Sequence, residues 1–496
     1  MDHQREVLRR SHNLTGFALF MEPGTGKTYV TINNTAYWFD QGQVDGLLIL
    51  APNNVHVNWV SDEIPKHMPD RIAWSAVVWS SGKMTRRENG KLKFKRELEE
   101  LLEFKGLAIL AMNYEAVLTS VGAKYARKFL ETRKTVLATD EADEYMAEPN
   151  SKRYKRVLAF GRLAVARRPM TGTPVEEKPE HAYGIMKAVD ENFWHPIPDY
   201  DSFKNRICEF ELMQVSDTRS VKKVIGYKNL EWLSQKMYTR SFRYLKDNLG
   251  LPPKRYTKHF VELSPEQRRM YEELVKERRT FFETGEPVTA QIELTNMLRR
   301  QQIVCGYVPP DKQLLVVTEE MLGNEELLDE MLEGVGKPKL IPGGNPRLDA
   351  VEYVVRKYPV KTMIWARFTA DIDQICERLG ASAVRYDGTV SAEQRVINKD
   401  LYLNDPSKLY FVGHTKAGGR GLTLINTEHV VYYSNLFSAR ARIQSEDRAH
   451  RIGLAHSVLY TDLCALNTID SYIIAKLRAK KSIAREVMQD PPKDWI

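Results

Sequence analysis

The sequence predicts an α/β protein in which two parallel-sheet lobes stand in tandem with helical insertions between them. Three observations carry that expectation. Short apolar, β-prone runs ending in small, polar or glycine-bearing residues fill the first 175 positions, long charged stretches of helical character occupy about 190–345, and the strand-then-loop alternation returns from 361. Short apolar runs separated by helical segments read as buried parallel strands, and such sheets hold their ligands beyond the strand C-termini.

The elements follow in order. FALF (17–20) runs into MEPGTGKT, GLLIL (46–50) into APNN, GLAIL (106–110) into AMNY, TVLA (135–138) into TDEAD, and RRPM (167–170) into TGTP. SPEQRRMYEELVKERRTFFE then reads as a long charged helix, punctuated by LPPK (251–254) before it and IPGGNP (341–346) after it. The second lobe's strands are read in KTMIWARF (361–368), SAVRYDGT (382–389), KLYFVGHTKAGGRG (408–421), HVVYYSN (429–435) and SVLYTDL (457–463). IDSYIIAKLRAKKSIAREVM closes the chain as an amphipathic basic helix. The domain expectation is a first lobe at 1–250 with a helical protrusion at about 190–250, a linker and second helical protrusion at 251–344, and a second lobe at 345–496 ending in the basic helix.

Composition bounds the answer. A chain of 496 residues exceeds one compact core, and 43% apolar with 28% charged residues excludes wholesale disorder, collagen-like repetition and a disulfide-stapled miniprotein. Lysine and arginine (73) exceed aspartate and glutamate (65), a net charge of +8 that fits a polyanionic partner without requiring one. Cys208, Cys305, Cys376 and Cys464 are too widely spaced for a CxxC pair, so neither a zinc nor a redox cluster is signalled. No apolar run approaches the roughly 18 residues of a membrane span, and the charged opening MDHQREVLRR develops no signal-peptide core. The expectation is a soluble, unsecreted protein with no membrane partner.

Four strings carry chemistry. PGTGKT (23–28) lies between an apparent strand and an apparent helix, where backbone N–H groups and a helix N-terminus cradle phosphates; Pro23, Gly24, Thr25 and Gly26 would form the cradle, Lys27 would meet the β/γ-phosphates and Thr28 a magnesium ion. Met21 stands at the first position of the strict GxxxxGK[ST] pattern, so the match is to its second half. Asp140 and Glu141 end a strand, where one carboxylate can hold a metal through water and the other orient the attacking water; Asp143 and Glu144 read as nearby coupling or surface acids. QSEDRAHRIG (444–453) puts Arg448 and Arg451 on one face if the segment is helical, with Gln444 a turn earlier, a face able to offer two guanidinium forks to a γ-phosphate. TKAGGRGL (415–422) has three glycines that allow close approach to a phosphate, of a nucleotide or of a nucleic-acid strand.

The order of these strings resembles that of the superfamily-two helicase-like ATPases: HQ at 3–4, GTGKT, APNN, AMNYE, DEAD, TGTP, YDG, TKAGGRGL and QxxDRxxR. The resemblance is to the Swi/Snf-type DNA translocases and, within them, to the annealing-helicase-like subgroup. It rests further on GYKNLEWLSQKMYTRSFRYLKDNLGLPPK (226–254), MLRRQQIVCGY (297–307) and IQSEDRAHRIG (443–453), and it runs from Gln4 to about Met488.

It implies two RecA-like lobes with ATP and Mg2+ between them. Gln4 resembles the adenine-reading glutamine, Lys27 and Thr28 the phosphate and magnesium ligands, Asp140 and Glu141 the metal-holding and catalytic acids, and Thr171 and Thr173 the relay to the strand-gripping loops. Gly421 resembles the glycine lining the cleft, Gln444 lies in the final motif, and Arg448 and Arg451 resemble paired arginine fingers. Pro52, Asn53, Asn113, Tyr114, Arg367 and Lys416 sit where the family touches the DNA backbone. The chain departs from the branch in reading DEAD where the fourth residue is usually histidine, in Phe437 where tryptophan is common, and in Leu454 where glutamine is usual.

The implied function is a nucleic-acid-stimulated ATPase that moves along or remodels duplex or branched DNA through sequence-independent backbone contacts. A strand-separating or annealing helicase at forks or R-loops is the first alternative; a nucleic-acid-binding scaffold or protein-remodelling ATPase is an alternative of another class. Basic stretches at 83–96, 151–168 and the C-terminal helix are candidates for the DNA track, and the acidic stretch 319–333 is expected to face away from it. A monomer is expected, with a recruiting protein left open, no separate targeting or reader domain, and a bacterial or virus-infected cytoplasm, or a nucleus if the source is eukaryotic, as its setting.

Overall fold

The structure is a computed structural model that describes residues 1–53, 55–80, 87–88, 91–216, 219–283, 290–308, 339–415, 422–491 and 495. Two compact units divide the chain: Met1–Glu209, Gly226–Gly250 and Ser482–Pro492 form the first, and Phe210–Ile225, Leu251–Lys481 and Lys493–Ile496 the second.

The first unit is built on β1 (Ala18–Met21), β2 (Gly46–Ala51), β3 (Trp74–Val78), β4 (Leu107–Asn113), β5 (Thr135–Asp140) and β6 (Ala166–Met170). A separate two-stranded hairpin follows in the chain, β7 (Cys208–Ser216) and β8 (Arg219–Tyr227), whose residues Phe210–Ile225 group with the second unit, and the chain returns to the first unit for β9 (Ser241–Tyr244). The seven-stranded sheet has the order β9-β1-β6-β5-β2-β4-β3 and every pairing in it is parallel. Leu47, Leu48, Ile49 and Leu50 of β2 are all 0% exposed, so helices cover both faces of its centre, which is why the central strands are unbroken apolar runs. Parallel strands deliver their C-terminal ends to one edge, and Met21, Ala51, Asn113, Asp140 and Met170 all arrive there.

The second unit repeats the plan with β10 (Lys254–Val261), β11 (Thr362–Ala366), β12 (Ala383–Tyr386), β13 (Tyr410–His414), β14 (His429–Tyr432) and β15 (Val458–Ala465). Its six strands run β10-β15-β14-β11-β13-β12, again all parallel. The helices used below are α1 (Asp2–Ser11), α2 (Lys27–Asp40), α3 (Lys152–Leu163), α4 (Pro265–Glu283), α5 (Ala290–Val304), α6 (Ala439–Glu446) and α7 (Ile469–Met488). Helices α4 and α5 are the helical insertion ahead of the second lobe's central strands. The fold is therefore α/β, two parallel-sheet lobes in tandem with helical insertions between them.

The structure departs from the sequence expectation in particular places. The region 190–250 is not a purely helical protrusion: it contains the β7–β8 hairpin and β9, which extends the first sheet. Residues 254–261 are not linker but β10, an edge strand whose charged, half-exposed residues hide it from a search for apolar runs. Helix α7 does not belong wholly to the second unit, because from Ser482 its residues group with the first. The basic stretch 151–168 is not uniformly a surface: Arg168 is 1% exposed and donates to Asn34 Oδ1 and the Ser11 carbonyl, and burial pulls its guanidinium down to about 9. The acidic stretch 319–333 lies outside the described residues. None of the described helices is long and apolar enough to cross a membrane.

Candidate active site

The phosphate-loop string becomes a turn from the end of β1 into the start of α2. Gly24 (φ 83°) and Gly26 (φ 102°) occupy backbone conformations that a side chain disfavours, and Gly26 is the residue that caps α2. Thr25 is buried and its hydroxyl donates to the Glu22 carbonyl at 2.7 Å, which tightens the turn. Lys27 is 8% exposed and its Nζ donates to the Met21 carbonyl at 3.0 Å, across the base of the loop. Thr28 is half-buried one position further into α2.

Helix α1 brings Gln4 to the same turn. Gln4 Nε2 donates to the Thr25 carbonyl at 3.4 Å, and a Cβ on Gly26 would stand 2.1 Å from that nitrogen, so a side chain there would displace the Gln4 amide as well as strain φ. His3, which the sequence reading passed over, places Nε2 2.8 Å from the same carbonyl and stacks on Tyr244 at 3.8 Å. The TGTP turn closes the other side: a Cβ on Gly172 would lie 2.7 Å from Pro23 Cδ.

Asp140 ends β5 with 8% exposure. Its Oδ2 accepts from the Trp59 indole at 3.1 Å and its Oδ1 from the Glu141 N–H at 3.0 Å. Burial, and then the neighbouring Glu141 charge, push its carboxyl up to about 6, while Lys27 and the Trp59 hydrogen bond pull the other way. The carboxylate thus sits where a cation would be welcome. Glu141 is half-buried and holds φ 49°, a left-handed conformation uncommon outside glycine and one that marks a constrained site.

Of the two readings of Asp143, a coupling or a surface acid, its burial excludes the second. Asp143 is 6% exposed and accepts from the Thr171 hydroxyl at 2.7 Å and the Thr173 hydroxyl at 2.8 Å, while Thr171 Oγ1 accepts the Thr173 N–H at 3.0 Å. The acidic motif at the end of β5 and the TGTP turn after β6 are therefore one hydrogen-bonded object. Among the described residues no group of three or more His, Cys, Asp or Glu could hold a metal by itself. A single buried carboxylate suits Mg2+ carried in on phosphates, because Mg2+ takes most of its ligands from phosphate and water.

In the second unit Gln444 lies on α6, but the helix ends at Glu446, so Arg448 and Arg451 do not share a helical face with it; they sit on the turn that follows. Arg448 is 7% exposed and its guanidinium donates to the Leu422 carbonyl at 3.2 Å, while its own carbonyl accepts from Leu424 N–H at 2.9 Å. Arg451 donates to Thr423 Oγ1. Both arginines thus grip the segment 422–424. Gly421 and Lys416 lie outside the described residues.

The residues expected at a DNA backbone separate into two groups. Asn53 is exposed beyond β2, and Asn113 ends β4, half-buried, capping the short helix Tyr114–Leu118 through Ala116 N–H. Pro52, in contrast, is buried and gives its carbonyl to Val55 and His56. Tyr114 is 0% exposed, stacks on Tyr145 at 3.8 Å and donates to the Asp140 carbonyl at 2.8 Å, so it braces the acidic motif instead of facing outward. Arg367 is 3% exposed, donates to Gln301 Oε1 at 2.9 Å and lies over the Phe368 and Phe437 rings, which makes it a strut between β11 and α5 and not a surface cation. In these two the side chain that sequence position assigns to a ligand is used inside its own unit.

Several known proteins are similar to this chain in sequence. A probable ATP-dependent DNA helicase of Arabidopsis thaliana is 24% identical over 97% of this chain and 40% of its own length. Chromodomain-helicase-DNA-binding protein 1-like of Mus musculus is 24% identical over 96% of the chain and 48% of its own length. A DNA annealing helicase and endonuclease of Mus musculus is 24% identical over 93% and 38%. The chain spans less than half the length of each of these relatives. A solved structure, the Sulfolobus solfataricus SWI2/SNF2 ATPase core in complex with dsDNA, aligns over 98% of this chain and 91% of its own at 19% identity and a TM-score of 0.36. Residues 347–453 match the helicase conserved C-terminal domain. Residues 3–306, more than half of the sequence, match the SNF2-related domain, and the chain belongs to the SNF2-related family.

Proposed function

We propose that this chain is an ATP-dependent DNA translocase that hydrolyses ATP to move along or remodel duplex or branched DNA. The observation that carries the reading is the assembly in the first unit of Gln4, Lys27, Asp140 and the Asp143–Thr171–Thr173 bridge around one phosphate-loop turn. Gln4 reads the base edge, the N–H groups of Gly24–Gly26 and of the start of α2 receive phosphate oxygens, and Lys27 exchanges the Met21 carbonyl for a phosphate. Thr28 and Asp140 would hold Mg2+, which supplies charge neutralisation of the β- and γ-phosphates when bound. Glu141 orients the attacking water, and Arg448 and Arg451 of the second unit are assigned to the charge that spreads over the γ-phosphoryl oxygens. The Asp143 bridge gives the acidic motif a rigid path to the TGTP turn, so that nucleotide state reaches the segments that hold DNA. Asn53 and Asn113, at strand ends on the same sheet edge, are the described candidates for backbone contact, and Lys416 is a further one.

The test is the ATPase rate with duplex, single-stranded and forked DNA and with RNA, followed by displacement of a triplex strand. Strong stimulation by duplex DNA with triplex displacement supports translocation; unwinding restricted to forks supports the strand-separating alternative. Lys27→Ala and Glu141→Gln should each lower turnover by about 100-fold or more while duplex affinity stays within about threefold. Normal turnover in either variant removes the site assignment.

A further inference from the structure

The string Leu251–Lys254 marks the point at which the chain passes from the first unit, whose central stretch ends at Gly250, into the second. Lys254 opens β10 and extends its side chain over the Tyr460 ring at 5.7 Å to donate to Glu446 Oε2 at 2.9 Å, with Asp447 Oδ1 at 3.8 Å. Glu446 is 0% exposed and fully engaged, accepting also from Tyr256 OH at 2.9 Å, Arg442 Nε at 3.0 Å and Trp495 Nε1 at 3.0 Å. Burial opposes its charge, but Lys254 and Arg442 outweigh burial and hold it below the usual carboxylate range. Two residues before Lys254, the Pro252 carbonyl accepts from His450 Nε2 at 2.7 Å. His450 is 5% exposed and lies between Arg448 and Arg451 in the chain.

Two residues of one four-residue string therefore hold two points of one turn, one just ahead of Arg448 and the other between the two arginines. The string is stiff, because Pro252 and Pro253 have fixed φ and no N–H to exchange. A displacement of the connector is passed to the turn instead of being absorbed.

We propose that Leu251–Lys254 is a strut, and that Lys254 and His450 are positioning residues that set the arginine turn Asp447–Arg451 from the connector leaving the first unit. The inference rests on the assignment of Arg448 and Arg451 to the nucleotide. On this account the connector is part of the catalytic apparatus: its path decides where the guanidiniums stand.

The experiment compares full-length His450→Ala, His450→Gln and the double variant Pro252→Gly/Pro253→Gly for DNA-stimulated kcat, KM for ATP, duplex affinity and melting temperature. His450→Ala should lower kcat about tenfold with KM and duplex affinity within about twofold, because misplacement of a group that acts only in the transition state is read in kcat. His450→Gln, whose amide can donate to the same carbonyl, should recover most of that loss. The Pro252→Gly/Pro253→Gly variant, which removes stiffness and no side-chain hydrogen bond, should reproduce it. Unchanged kcat in His450→Ala, or a kcat loss that follows melting temperature equally in the Ala and Gln variants, overturns the inference while the proposed activity stands. An unaltered chain that hydrolyses no ATP with any nucleic acid overturns both.

Discussion

Asp140 shows how a single residue can be set against the stability of the free protein. Its carboxyl, buried and beside Glu141, titrates at about 6 against an ordinary value of 3.8. A folded-state pKa above the unfolded one means that the native chain holds the extra proton between the two values. This group's contribution is therefore most favourable below about pH 4, declines as pH rises to about 6, and remains a penalty above that. That rise in pKa corresponds to a ceiling of about 3 kcal/mol. Asp140→Asn removes the charge but replaces one acceptor oxygen by an NH2 group, so either the Trp59 indole or the Glu141 N–H loses its partner, at about 1 kcal/mol. The variant should be about 1–2 kcal/mol more stable than the parent at pH 7.5, equal or weaker at pH 4, and unable to hydrolyse ATP. Urea midpoints at the two pH values read the first two outcomes, and a variant no more stable than the parent at pH 7.5 contradicts the argument.

Among the elements, the ends of β5 and β6 behave as one device through Asp143, and the two threonines are not equivalent within it. The Thr171 hydroxyl donates to Asp143 and accepts the Thr173 N–H, whereas the Thr173 hydroxyl only donates. Thr171→Val therefore strands a backbone N–H as well as removing a donor, and should cost about 2 kcal/mol, with Thr173→Val costing about 1 kcal/mol. Chemical denaturation gives the order, and both variants should bind nucleotide while losing DNA stimulation; equal costs would show that the N–H finds another acceptor. This device also marks the limit of what the sequence discloses. The spacing of PGTGKT, DEAD and TGTP places each string at a strand end, but nothing in the spacing says that the fourth residue of DEAD, Asp143, reaches two threonines about 30 positions away. The central strands β1, β2, β4, β5 and β6 are legible because burial on both faces demands unbroken apolar runs. In the two large sheets the strands not legible in the sequence, β3, β9 and β10, are all at sheet edges, where one side is open and polar residues are tolerated. Tyr114 and Arg367 misled for a related reason: a polar side chain at a strand end can turn inward, and sequence position is silent about that choice.

At the scale of the whole molecule, the chain's last described turn matters to a site assembled from its first 175 residues. Arg243 of β9 makes a two-pronged pair with Asp490, Nε to Oδ1 at 3.1 Å and Nη2 to Oδ2 at 2.7 Å, with both side chains more than nine-tenths buried. Its remaining nitrogen donates to the Gly172 carbonyl of the TGTP turn at 2.8 Å, and Glu22 of the phosphate loop stands 4.0 Å away. Tyr238 adds a hydrogen bond to the Met488 carbonyl. The residues after Ser482 are thus part of the first unit's fold, although α7, which delivers them, starts in the second. Asp490→Ala would leave a buried guanidinium with the Gly172 carbonyl, a long contact to the Phe20 carbonyl at 3.5 Å and one distant carboxylate, a loss of about 3 kcal/mol to the first unit. In a unit of this size that is about 6–12 °C in melting temperature. Replacing both partners, Arg243→Met with Asp490→Leu, removes the stranded charge and leaves the Gly172 carbonyl, and the more distant Phe20 carbonyl, without this donor, so the double variant should lose about 1 kcal/mol. Because each unit has its own core, calorimetry should show the change in one of two transitions, with the second unit's transition unmoved. A double variant as unstable as Asp490→Ala would mean that the packing of the C-terminal turn, and not the ion pair, fastens it; a shift of both transitions would mean that the two units unfold as one.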